Sequence, residues 1–124
     1  MPRDYPRSRR IGDQMQRDLA VLIRDEIKDP RLGMVTVSAV DVTRDLAYAR
    51  VYVTVLGDAQ VRSESLNVLN RAAGFLRRLL GQRMVLRTVP QLKFVYDESI
   101  ERGERLSKLI DSVAPRDDDQ EQND

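Results

Sequence analysis

The stretch that decides the fold is SLNVLNRAAGFLRRLL, residues 65–80. Its leucines recur at the spacing of a helix and predict one buried helical face, made by Leu66, Leu69, Leu76 and Leu80. Gly74 lies inside this pattern, where a glycine costs about 1 kcal/mol relative to alanine. The run Ala72-Ala73-Gly74 therefore predicts either a kinked helix or two helices that meet at a joint.

A second helix is predicted near the start of the chain. Apolar residues spaced three and four apart indicate an amphipathic helix from Ser8 or Arg10 to Lys28. The run Asp29-Pro30-Arg31 is interpreted as the stop and turn that end it, with Gly33 just beyond. The charged residues are expected on the face opposite the apolar stripe: Arg17, Asp18, Arg24 and Asp25.

The two segments that follow this helix predict a β-hairpin. Met34–Val42 alternates between apolar and polar residues until the phase switches, which predicts a bulge near Ser38–Val40. Residues 49–55 alternate cleanly from Ala49 onward. Because the polar link Thr43-Arg44-Asp45 is short, we expect the two strands to pair antiparallel.

The part of the chain after the joint predicts a third strand and a last helix. Gly81 ends the helical unit, and Met84–Tyr96 forms a strand that Pro90 interrupts or displaces to a sheet edge. Asp97 or Ser99 caps the last helix. The predicted order of elements is α-β-β-α-joint-α-β-α, which is a single two-layer α+β domain with three strands and the helices on one face.

The domain is expected to span residues 10–113. Residues 1–9 are predicted to be a flexible basic arm. Residues 114–124 are rich in acids and lack apolar groups that could stabilise an ordered conformation, so they predict a disordered acidic tail.

The composition excludes several classes of function. The 124 residues include no Cys and no His, which excludes thiol nucleophiles, disulfides, His-dependent triads and the usual zinc sites. The glycines are scattered singly, so no phosphate-gripping loop is present. We therefore expect no enzymatic activity, no cofactor, no metal and no small-molecule substrate. No apolar run approaches ~20 residues and no signal segment is apparent, so we expect a soluble, cytoplasmic monomer without a membrane partner.

Positive charge is concentrated around the joint. Residues 65–96 carry six basic residues and no acid, whereas residues 97–124 carry ten acids and four bases. The six basic residues are Arg71, Arg77, Arg78, Arg83, Arg87 and Lys93. Such a segment is typical of a surface that binds a polyanion, and free N–H groups at a helix joint would attract phosphate.

The basic residues also have structural interpretations. Arg77 and Arg78 either contact RNA or are ordinary exposed helix charges, although no acid lies three or four residues away to pair with them. Two interpretations suit Arg83, Arg87 and Lys93 equally well: contact with RNA, or exposed charge that keeps another strand from pairing with the sheet edge.

Further candidates lie in the arm and at the joint itself. Arg7, Arg9 and Arg10 either bind phosphate or belong to an arm without a binding role. Arg71 and Ala72-Ala73-Gly74 either form a binding surface or merely let the helix bend around the sheet. We favour binding, because small residues let a sugar–phosphate backbone approach closely.

The aromatic residues argue against one kind of RNA recognition. Five of them lie mostly at predicted core-like positions: Tyr48, Tyr52, Phe75, Phe94 and Tyr96, with Tyr48 also interpreted as hairpin structure. A domain that stacks bases on an exposed sheet needs aromatic side chains in the open. We therefore expect the protein to recognise the shape and backbone of structured RNA instead.

Three stretches in the same order and spacing resemble the ribosome-binding factor A family. They are Asp29-Pro30-Arg31-Leu32-Gly33, Asp45-Leu46-Ala47-Tyr48-Ala49-Arg50-Val51 and Pro90-Gln91-Leu92-Lys93-Phe94-Val95-Tyr96-Asp97-Glu98-Ser99. The resemblance covers about Arg9 to Ile110 and leaves both ends of the chain outside it.

The resemblance implies a type II KH fold in which an Ala-x-Gly kink replaces the usual Gly-x-x-Gly, here at Ala72-Ala73-Gly74. It also implies a function: a non-enzymatic assembly factor that binds the small ribosomal subunit and its rRNA. Such factors support late maturation and processing of small-subunit rRNA, above all in the cold. The KH-like RNA-binding domain would correspond to residues 10–113.

A protein-interaction domain is the alternative function. In that interpretation, the sheet edge at Met84–Tyr96 or the acidic tail docks a partner protein. The two functions differ in salt dependence, because phosphate contacts weaken steeply with ionic strength and an apolar protein interface does not.

Overall fold

A computed structural model describes residues 6–99 of the chain. It contains three α-helices and three β-strands in the order of a type II KH domain. The elements are α1 (Arg7–Glu26), β1 (Met34–Val42), β2 (Tyr48–Leu56), α2 (Ala59–Arg71), α3 (Ala73–Arg83) and β3 (Gln91–Tyr96).

The three strands form one sheet in the order β1-β2-β3. β1 and β2 pair antiparallel, with a register shift between Val37 and Ala39 that confirms the predicted bulge. β3 pairs parallel to β2 along its other side. Because β2 is the central strand, every second one of its residues from Ala49 to Val55 is buried.

The helices pack on one face of this sheet, as predicted. Fully buried residues of all three helices meet the inward residues of β2 and β3 in a single core: Met15, Leu19, Leu69, Leu76 and Leu80 against Val51, Val53 and Phe94. The architecture is therefore a two-layer α+β domain. In the loop 27–33, the N–H of Gly33 donates to the buried Ser65 hydroxyl at 2.9 Å and fixes this loop against α2.

The predicted boundary of the basic arm is wrong. α1 begins at Arg7, so Arg7 and Arg9 are helical rather than part of a flexible arm. Pro6 precedes the helix with φ −61°, and its carbonyl accepts from the N–H groups of Arg9 and Arg10. Proline is common at the start of a helix, because its fixed φ suits the helix start and its missing N–H is not needed there.

α1 also differs from the sequence interpretation on one face. Asp18, expected on the polar face, is buried. Its carboxylate pairs with Arg83 of α3 at 3.5 Å and accepts from the amide of Gln14 at 3.2 Å. A buried acid needs such partners in place of water. Through its contact with Arg83, Asp18 holds α1 and α3 together.

The third strand is shorter than predicted. It begins at Gln91, and residues 84–90 form a loop. Pro90 is buried directly before the strand, where its missing N–H leaves no gap in the ladder. The predicted last helix and acidic tail, residues 100–124, lie outside the described residues.

The turn after α1 confirms the structural interpretation of Asp29-Pro30-Arg31. The Asp29 carboxylate accepts from the Arg31 guanidinium at 2.7 and 3.0 Å and from its backbone N–H at 2.9 Å. These hydrogen bonds lower the pKa of Asp29 from 3.8 to about 2.

We expect Asp29 to titrate near pH 2 in an NMR titration of its carboxyl carbon, and at a higher pH in Arg31→Ala, which removes the side-chain hydrogen bonds and keeps the one from the backbone N–H of residue 31. Because the folded-state pKa is the lower one, the stabilisation is complete above about pH 4 and is lost as the pH falls toward 2. An Asp29 pKa that is the same in both proteins would contradict the assignment.

The outer edge of β3 is bonded by a side chain. Asn70 of α2 accepts from the N–H of Phe94 at 2.8 Å and donates to the carbonyl of Phe94 at 3.0 Å. One side-chain amide therefore takes both backbone groups that a further strand would use at this position. This contact bears directly on whether β3 can dock a partner protein.

Replacing Asn70 by Ala should lower the free energy of unfolding by about 1–3 kcal/mol, because both Phe94 backbone groups lose their partner. Asn67→Ala is the matched control: Asn67 is exposed on the same helix, and the two substitutions gain the same helix propensity. Urea unfolding measures both. Equal stability of the two variants would show that the Asn70 contacts contribute nothing.

Candidate nucleic-acid interface

The joint between α2 and α3 is the single residue Ala72. Its φ of −88° and ψ of 5° depart from helical values, although its N–H still donates to Val68 and its carbonyl still accepts from Leu76. Ala72 is also the N-cap of α3 and has no side chain that could cap the helix. The α3 N-terminus thus presents its first N–H groups without a side-chain cap, which favours an anion there.

The predicted joint is confirmed: it lies at Ala72, the first residue of the predicted run Ala72-Ala73-Gly74. Gly74 is the second residue of α3, not the break itself. A Cβ built on Gly74 meets nothing within 4 Å, and the residue is exposed. The backbone is therefore accessible to a ligand along this side of the joint.

Two arginines flank the joint. Arg71 is the last residue of α2 and Arg78 lies in the second turn of α3, and both are exposed. The Arg78 guanidinium lies 5.5 Å from the centroid of the Phe75 ring, within the range of a cation–π contact. Arg71 is close enough to Asp29 to help lower the pKa of that carboxyl.

Phe75 was expected in the core, and that prediction is wrong. Its ring is 37% exposed beside Gly74, in contact with Arg78. Leu76 and Leu80 are the buried residues of α3, and Phe75 lies outside this stripe. The spacing of Phe75 and Arg78, three residues apart on a helix, is the sequence signal that could have identified this pair.

Two of the predicted arginines have partners inside the domain. Arg77 is half-buried and donates from Nε to the Val89 carbonyl at 3.0 Å, which holds the loop 84–90 against α3. Arg83 pairs with the buried Asp18. Arg87 is exposed within the same loop. RNA contact by these three residues stays a prediction.

The remaining candidates lie away from the joint. Lys93 is on the face of the sheet opposite the helices, where its Cα partner is Arg50. Arg7, Arg9 and Arg10 lie in the first turns of α1. The structure therefore brings together Arg71, Ala72-Ala73-Gly74 and Arg78, with Lys93 and these three arginines of α1 outside this group.

The fold and the joint define the class of this protein: it is a KH-like α+β domain in which a helix–joint–helix unit packs beside the third strand. The family model of ribosome-binding factor A matches residues 7–110. The chain belongs to the ribosome-binding factor A family.

Individual relatives agree with this assignment. Ribosome-binding factor A of Alkalilimnicola ehrlichii is 57% identical over 125 residues, covering 100% of this chain and 96% of that protein. The crystal structure of ribosome-binding factor A from Thermus thermophilus has 31% identity and a TM-score of 0.65, covering 72% of this chain and 93% of that one. A homology model of the Thermus thermophilus factor, fitted into a cryo-EM map of a 30S complex, has 31% identity, a TM-score of 0.63 and coverages of 73% and 96%.

Between residues 6 and 99, no helix is both long enough and apolar enough to cross a membrane.

Gly74→Ala should fold with unchanged or higher stability, by up to ~1 kcal/mol, because the added methyl group meets open space and the residue has no positive φ. Gly12→Ala is the opposite case, because a Cβ there would lie 2.7 Å from the Val40 carbonyl oxygen. Thermal unfolding of both variants is the measurement. A Gly74→Ala variant as unstable as Gly12→Ala would show that the joint is closely packed.

Proposed function

We propose that this protein is an assembly factor that binds the free small ribosomal subunit through its rRNA, with the α2–α3 joint against the RNA backbone. In this role it supports late maturation and processing of small-subunit rRNA, especially in the cold. It acts as a monomer and by binding alone. The chain contains no His and no Cys that could supply an imidazole base or a thiol nucleophile.

The observation that carries the proposal is the open, uncapped N-terminus of α3. Ala72 and Gly74 leave its backbone N–H groups approachable, and no acid lies in the first turn of the helix. A helix N-terminus of this kind favours a phosphate, since the N–H groups and the helix dipole act together. KH domains grip an RNA backbone with a small-residue loop at the corresponding joint.

The flanking side chains suit the same ligand. Arg71 and Arg78 place two exposed guanidinium groups on either side of the joint. Phe75 adds an exposed ring next to them, on which a base or a guanidinium can stack. The Thermus thermophilus relative fitted into a map of a 30S complex supports the small subunit as the particle that carries the RNA.

Docking of a protein along β3 is less well supported. The Asn70 side chain already bonds both backbone groups of Phe94 at the outer edge of that strand. Strand addition requires such groups to be free. We therefore favour RNA over a partner protein.

The Arg71→Glu/Arg78→Glu variant should fold and lose at least tenfold in affinity for purified small subunits in a sedimentation assay. The slope of log affinity against log salt should flatten, by about 0.9 for each phosphate contact removed. Ala73→Glu, which adds bulk and negative charge at the joint, should have a similar effect on affinity.

The matched control is Arg17→Glu/Arg24→Glu, which changes the net charge equally on exposed positions of α1. If the control weakens binding as much as the joint variants, net charge and not the joint is responsible. Parent-like affinity of both joint variants would overturn the proposal. The same proteins, tested in a deletion strain at low temperature for growth and for accumulation of precursor rRNA, examine the role in maturation.

A further inference from the structure

The face of the sheet opposite the helices carries an unexpected row of side chains. On β2, buried Ala49 and Val51 alternate with outward residues: Tyr48, Arg50 and Tyr52. Tyr48 is 59% exposed and Tyr52 is half-buried. The core-like positions predicted for most of the aromatic residues therefore do not extend to Tyr48, whereas Tyr52 lies opposite the buried residues of β2, as the predicted alternation places it. The strand pleat sends them to the open side, because side chains alternate with a period of two.

Two cations lie side by side in this row. Arg50 of β2 and Lys93 of β3 are Cα partners, and both are exposed. Like charges directly opposite each other destabilise a sheet. Among residues 6–99, neither side chain has an ion pair, although Asp41 is the β1 partner of Arg50. Folding does not require this pair, and an anionic ligand would neutralise it.

The row borders one groove on the open face. Its lining includes Tyr48, Arg50 and Lys93, together with Asp41 of β1. A second groove reaches Tyr52 but lies between α1 and β1, because Asp13 and Gln16 of α1 also line it. The open face therefore offers one groove in which an aromatic ring and two cations lie together.

We propose that this open face is a second RNA-binding surface, which takes a single-stranded segment. Tyr48 and Tyr52 stack its bases, and Arg50 and Lys93 pair with its phosphates. Unpaired bases are required because stacking needs a free base face, and aromatic rings on a sheet are a known solution for that task. The joint lies in the helix layer, on the other side of the sheet, so the two surfaces take different RNA segments.

Binding of the full chain to decauridylate, an RNA without internal structure, tests this surface by fluorescence anisotropy. Tyr48→Ala should weaken binding roughly tenfold, and Tyr48→Phe should bind like the parent because its ring still stacks. Arg50→Gln/Lys93→Gln should reduce the salt slope by about 1.4, which corresponds to two phosphate contacts on a single strand. Arg17→Gln/Arg24→Gln is the control with equal charge change.

An NMR titration keeps the test independent of overall affinity. Decauridylate should shift the Tyr48 ring resonances in the parent and equally in Ala73→Glu, in which the joint is altered. The inference would be overturned if Ala73→Glu by itself abolished decauridylate binding, or if decauridylate left the Tyr48 ring resonances of the parent unshifted. The open face would then suit another occupant, such as a protein or the acid-rich residues 115–124. Small-subunit binding through the joint would stand unaffected by that result.

Discussion

At Ala72 the backbone leaves helical geometry for one residue, and the packing of both neighbouring helices depends on it. A straight helix from Ala59 to Arg83 would be about 37 Å long, whereas a nine-residue strand spans about 30 Å. Because the chain bends, α2 contacts β2 and β3 while α3 contacts β3 and α1. The two helices therefore contribute leucines to one core: Leu69 from α2, and Leu76 and Leu80 from α3. The bend therefore lets α2 and α3 both pack on the same face of this small sheet.

The same bend creates the candidate site. It starts α3 without a side-chain cap, next to an open Gly74 backbone and an exposed Phe75 ring beside Arg78. The domain also uses several of its charges internally: Asp18 holds Arg83, and the Val89 carbonyl holds Arg77. Positive charge counted along the chain therefore overstates the charge that faces a ligand. Four cations of residues 65–96 stay exposed outside these two contacts: Arg71 and Arg78 at the joint, Arg87 in the loop 84–90, and Lys93 on the open face of the sheet.

Sequence reasoning predicted the parts that local periodicity controls. The order of elements, the bulge at Ser38 and the joint near Gly74 follow from alternation, helical spacing and one misplaced glycine. Sequence reasoning failed where contacts between distant parts of the chain determine the position of a side chain. The helical pattern puts Asp18 on the surface, but α3 brings Arg83 to it. Phe75 was predicted in the core, but its ring is exposed beside Arg78. Local spacing does not reveal the internal partner of Arg77, because the carbonyl that binds it lies 12 residues away.

The absence of cysteine from the chain allows one direct measurement of the joint against the RNA. A single cysteine introduced by Gly74→Cys carries an iron chelate, and hydroxyl radicals from it cleave nearby rRNA in the complex with the small subunit. Arg17→Cys on the exposed side of α1 is the matched position. We predict strong, localised rRNA cleavage from position 74 and weak cleavage from position 17. Equal cleavage from both, or none from position 74, would contradict an RNA-facing joint.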